Sequence, residues 1–156
     1  MSDLSIREHA NSIPDAAVDD LPTIRHLLAE LDAAEAEHRR AVETRATLER
    51  KIADIRAERD AAAARADSLA ADRGRLLAAI LLGEAEPALD REHEAERKEL
   101  QAFIVRTDLA LPHVARRLDE LQIPVGNLAL RIENLGGEIR QLRQTAKLDI
   151  AKRQAA

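Results

Sequence analysis

The chain has no cysteine among its 156 residues. Disulfides, thiolate catalysis and thiolate metal sites are therefore excluded, and the redox compartment is left open. Tryptophan and tyrosine are also missing, and Phe103 is the one aromatic residue. A compact globule of this length would draw several aromatics into its core, because they bury the most area per side chain. Single-stranded nucleic acid would want aromatics too, as stacking platforms. The longest apolar run, Leu76 to Leu82, falls far short of the ~18 residues that span a bilayer. The N-terminus is acidic and has no apolar segment, so no signal peptide is expected. The expected location is the cytoplasm, or a particle assembled there, with no membrane partner.

Catalytic signatures are missing as well. The chain holds no P-loop, no Gly-rich dinucleotide loop and no zinc motif. Serine occurs only at positions 2, 5, 12 and 68, none in a triad-like context with histidine. The expectation is a protein that is not an enzyme and carries no cofactor. Two acid–histidine pairs have the three-residue spacing used by helical di-metal sites, Glu35 with His38 and Asp90 with His93. No further carboxylates line up with either pair, so no metal is expected. His113 follows a proline and suits backbone groups freed there, while His9 and His26 read as surface residues.

What the chain does contain is alanine, leucine, glutamate and arginine. Hydrophobic residues make up 46% and charged residues 34%, the composition of long helices and coiled coils. Subtracting 29 acidic from 24 basic residues gives a net charge of −5. That mild acidity, with signs interleaved along the chain, argues against a general nucleic-acid binder. The ends differ. Asp3, Glu8, Asp15, Asp19 and Asp20 crowd the N-terminal stretch, and Arg140, Arg143, Lys147, Lys152 and Arg153 crowd the C-terminal one. An antiparallel hairpin brings such ends together, so they compensate each other. The alternative is a basic docking end for an acidic partner.

Residues 1–22 read as a polar leader with room for one short helix, N-capped by Ser12 with Asp15 three residues on. Asp20-Leu21-Pro22-Thr23 reads as the start of the first long helix. From Ile24 the apolar residues fall into a 3–4 alternation. One seam position holds Ile24, Leu31, His38, Arg45, Ile52, Arg59, Ala66, Arg73 and Ile80. The other holds Leu27, Ala34, Ala41, Leu48, Ile55, Ala62, Leu69 and Leu76. This sustained 3.5-residue period predicts a supercoiled helix of about 90 Å.

Gly83 stops that helix, since glycine takes the left-handed conformation without steric cost, and Pro87 suits the first turn of the next. The second seam runs Leu100, Ile104, Thr107, Leu111, Val114, Leu118, Leu121, Val125, Leu128, Ile132, Leu135, Ile139, Leu142 and Ala146. Pro112 is expected to kink this arm. Pro124, with Gly126 and Asn127 behind it, is expected to break it, and Asn127 to cap a third helix.

The fold so read is all-α: a long antiparallel coiled-coil hairpin over 23–153, with arms 23–82 and 88–153 about a turn at 83–87. The second arm is kinked or broken at Pro112 and Pro124. If both prolines are turns, a three- or four-helix bundle results. A symmetric turn sets Leu69 opposite Leu100, Ile52 opposite Leu118, Ala34 opposite Leu135 and Ile24 opposite Ala146. Small residues then face large ones across the seam.

The candidate partner-interface residues follow from this pattern. Arg45, Arg59 and Arg73 recur every second heptad on the first seam, where they either meet acidic groups of a partner or snorkel to water. Leu128, Ile132, Leu135, Ile139 and Leu142 make the second seam richer in large aliphatics than the first, as if something else covers it. Arg140, Arg143 and Lys147 form the basic end. The functional expectation is a structural, scaffolding or adaptor protein within a larger assembly, a phage or virus particle being one setting. It would contact other proteins as a homo-oligomer or as a member of a larger complex. One alternative is a DNA-associated regulator such as a nuclease-inhibitor-like hairpin. Another is the stalk or chaperone hairpin of a bacterial export apparatus.

Overall fold

A computed structural model describes residues 2–156. Helix α1 spans Asp3–Ser12, a single 3-10 turn covers Asp15–Ala17, α2 spans Pro22–Leu81 and α3 spans Ala88–Ala155. Among the described residues there is no strand, and no helix is long and apolar enough to cross a membrane. The protein is an all-α helical hairpin, with α2 packed against α3.

The turn between the long helices is built as its residues require. Gly83 has φ +74, a backbone conformation that costs a Cβ-bearing residue roughly 1–2 kcal/mol. Its N–H donates to the Ile80 carbonyl at 3.1 Å, and the N–H of Glu84 donates to the Ala79 carbonyl at 2.8 Å. These two bonds make a Schellman motif, which satisfies carbonyls that the end of α2 would leave unpaired. Pro87 then directly precedes α3. Pro22 opens α2, where its missing N–H is no loss.

The chain forms two compact units. One combines the chain up to Glu43 with Gln122–Ala156, and the other is Thr44–Leu121. In the second, Ile52, Ala62, Ala66, Leu69 and Thr107 are buried. All of them lie on the two heptad seams. In the first, Leu27, Ala34, Leu135 and Ile139 form one buried cluster, with Leu28, Leu31, Ile132 and Leu142 packed on it. Ala34 and Leu135, set opposite one another by the symmetric turn, meet in that cluster.

Two expectations are corrected. Pro124 does not break the second arm, because α3 runs from Ala88 to Ala155 as one helix, and Asn127 lies within it and caps nothing. A proline removes one helical hydrogen bond and crowds the preceding turn. Here the turns on both sides of each proline keep their heptad packing, as buried Thr107 and Val125 show, and that packing carries the helix through. Ser12 does not begin a helix either; it ends α1, and its hydroxyl donates to the His9 carbonyl at 2.6 Å. Pro14 is the reason. It forces the residue before it out of the helical region, and Ile13 is extended at φ −73, ψ 125.

Candidate protein-interaction surfaces

In the Thr44–Leu121 unit three arginines tie α2 to α3 along its flanks. Arg59 grips Asp108 with Nε and one terminal nitrogen, donating at 2.9 and 3.1 Å. Arg65 holds Glu96 in the same way at 2.8 and 3.2 Å. Arg73 holds Asp90 at 2.9 and 3.2 Å and reaches Glu94 at 3.7 Å. The planar guanidinium matches a carboxylate with two parallel bonds, which fixes geometry better than a lysine would. The partners run from Asp108 back to Asp90 on α3 as the arginines run from Arg59 to Arg73 on α2, toward the turn, so the pairs hold the antiparallel register. Arg45 makes a local bond instead, to Glu49 one turn on at 3.0 Å.

Of the seam arginines, then, Arg59 and Arg73 find their carboxylates on the other arm, and Arg45 finds one on its own helix. Arg65 sits outside the seam, so heptad counting passed over it. The signal that finds it is Glu96 on the antiparallel arm. Asp90, half of an acid–histidine pair in the sequence, is occupied by Arg73. Among the described residues no group of three or more His, Asp and Glu side chains is placed to hold a metal.

The other unit carries a second set of pairs. Arg143 binds Asp19 through two nitrogens at 2.7 and 2.9 Å and lies 3.4 Å from Asp15. Lys147 donates to Asp15 at 2.7 Å. His9 and Gln154 bond at 2.6 Å, and Gln144 donates to Asn11 at 3.3 Å. The acidic leader is thus clasped onto the basic end of α3. Beneath these polar contacts Ala10 and Val18 are completely buried. Of the basic candidates only Arg140 is left exposed. Leu135 and Ile139 are buried, and Leu128, Ile132 and Leu142 are half-buried.

The helix pair is not featureless. An apolar groove of about 400 Å³ lies in the Thr44–Leu121 unit, lined by Ile55, Phe103, Arg106, Thr107, Ala110, Leu111 and Val114. A more polar one of about 540 Å³ lies in the other unit, lined by Glu35, His38, Arg39, Val42, Glu43, Ala129 and Ile132. Ala110 and Ala129 leave these stretches short of side-chain volume. Both grooves open to solvent.

The ion pairs move the titration of their members. The hydrogen bonds from Arg73, Arg65 and Arg59 hold the carboxyls of Asp90, Glu96 and Asp108 below their ordinary values, as Lys147 does for Asp15 and Arg97 for Glu94. A carboxyl depressed by folding stabilises the folded state above its unfolded value and loses that contribution as pH falls through the lower folded value. The unfolded values are 3.8 for Asp and 4.5 for Glu, so these pairs lose their contribution below about pH 4. Urea unfolding from about pH 7 to about pH 3 is expected to show a falling midpoint. Asp108→Asn is expected to be less stable than the parent at neutral pH, with the gap closing in acid. A gap that stays constant with pH would count against the Arg59 pair.

Comparison with protein-family models, with curated proteins and with solved structures gives no match.

Proposed function

We propose that this chain is a non-enzymatic scaffold or adaptor that works through protein–protein contacts within a larger assembly. The observation that supports it best is the set of large aliphatic side chains left exposed on α2 and α3. At the turn end of the Thr44–Leu121 unit, Leu81 is 87% and Leu82 72% exposed, with Leu77 and Leu89 also exposed. Val105, Leu109, Ile123 and Leu130 are exposed on α3. Grouped exposed aliphatics of this size mark contact surfaces on soluble proteins. A virus or phage particle is one assembly of the kind in which such a chain would serve.

The test is gentle purification of the native protein from its source, with mass spectrometry of what accompanies it. Recovery in a defined assembly, with companions in fixed ratio, is the expected result. A free monomer with no companions under the mildest conditions would overturn the proposal.

A further inference from the structure

Phe103, the one aromatic residue of the chain, is half-buried and stands with Arg106 and Ala110 in the wall of the groove in the Thr44–Leu121 unit. These three belong to a second heptad row on α3, which runs from Glu92 to Arg117 with spacings that alternate four and three throughout. At about 100° per residue its eight members fall in one band roughly 100° wide. The row is divided by charge. Glu92, Glu96 and Glu99 lie before Phe103, and Arg106, His113 and Arg117 lie after it. Of these charged residues only Glu96 has an ionic partner within the described chain, Arg65. A seam-like row with its charges left over is what a coiled-coil partner covers.

We propose that this row is covered by the same row of a second copy, antiparallel to the first, about a two-fold axis between Phe103 and Arg106. The inference rests on the protein-contact reading above and gives it one partner. The row itself points to the occupant, because reversing it sets its acidic half against its basic half. Glu92 then faces Arg117, Glu96 faces His113, Glu99 faces Ala110 and Phe103 faces Arg106, and every pair occurs twice. At the axis the guanidinium of each Arg106 lies over the ring of the other copy's Phe103, a cation–π contact. Glu96 keeps its bonds to Arg65 and has lone pairs left to accept from the His113 imidazole, which is a donor whether or not it is protonated. A parallel pairing would set glutamate on glutamate and arginine on arginine. In the antiparallel register Ala88, where α3 begins, lies opposite Leu121, so the contact stays inside the Thr44–Leu121 unit of each copy.

Sedimentation equilibrium of the full chain tests this. The expected particle has twice the 17.2 kDa mass of the chain. Glu92→Arg sets two arginines against each other at both ends of the contact and is expected to weaken the dimer about tenfold or more. Helicity is expected to stay the same, because Glu92 has no ionic partner within the described chain. Glu92→Arg combined with Arg117→Glu restores complementarity and is expected to restore the dimer. The chain has no cysteine, so disulfide trapping is clean. Glu99→Cys with Ala110→Cys is expected to give a covalent dimer on oxidation, and Ala110→Cys alone is not. Within one helix these positions lie roughly 16 Å apart, too far to bridge internally. A monomer at every concentration would overturn this surface, while companions recovered in the purification above would leave the contact reading standing. A dimer indifferent to Glu92→Arg, or trapped equally by Ala110→Cys alone, would also overturn this surface.

Discussion

Replacing Ile139 with alanine is expected to lower the unfolding free energy by about 3 kcal/mol, within the range for truncating a buried aliphatic side chain. Ile139 is 2% exposed and belongs to the cluster with Leu27, Ala34 and Leu135. That cluster is small, and two of its neighbours across the seam, Leu28 and Leu31, are only partly buried. No second layer of aromatics stands behind it to refill the space. The lost methyl and methylene groups therefore leave a cavity that the two helices close only by shifting against each other. The effect would be read as a drop in the urea midpoint. Leu81→Ala serves as the control, since Leu81 is 87% exposed and substitutions at such positions change stability by about 0.5 kcal/mol or less. Equal effects at both positions would show that this cluster is not what holds the unit together.

Replacing Val18 with aspartate is expected to release the leader. Val18 is completely buried, as is Ala10 on α1, and an aspartate at that position would have to give up its hydration with no partner supplied. The chain has a way out, because the leader can lift off while α2 and α3 stay paired. The global cost is thereby capped at what docking contributes, about 1.5–3 kcal/mol for a buried side chain of this size. Once free, the ten residues of α1 are too few to hold a helix in water. Hydrogen exchange would show loss of amide protection over residues 3–18 with protection in α3 near Ile132 retained. Asp19→Ala, which removes the carboxylate held by Arg143, is expected to loosen the same segment to a smaller degree. Unchanged protection in α1 after Val18→Asp would mean that the leader is held by other contacts.

The two variants separate the parts of the fold that were legible in the sequence from those that were not. Ile139 is a seam residue, and every buried residue between Ile24 and Ile139 lies on one of the two seams. Each helix states its own buried face through spacing, so one chain suffices to read it. The turn was legible for a similar reason. A glycine at positive φ and a proline four residues later are local chemistry that leaves the backbone few options. Val18 and Ala10 carried no such signal. The leader is too short for a period to emerge, and its burial depends on residues more than a hundred positions away. Arg65 was missed because a salt bridge between arms depends on register as well as on spacing. The break expected at Pro124 does not occur: local preference counts the hydrogen bond the proline removes. It does not count the packing on both sides that keeps α3 continuous.

The sequence by itself therefore determined two long helices, their inward faces, and where the chain reverses. Those properties follow from period and from backbone sterics, which act over a few residues. Only the tertiary structure decided how the acidic and basic ends are used. Asp15 and Asp19 could have remained in water and left Arg143 and Lys147 to an acidic partner. They pair because burying Val18 and Ala10 brings the leader onto α3, and charges that burial holds within hydrogen-bond distance no longer pay separately for meeting. Tertiary structure likewise decided that Arg59 and Arg73 serve the chain's own register, since their carboxylates lie on the other arm and reach them only once the hairpin has closed.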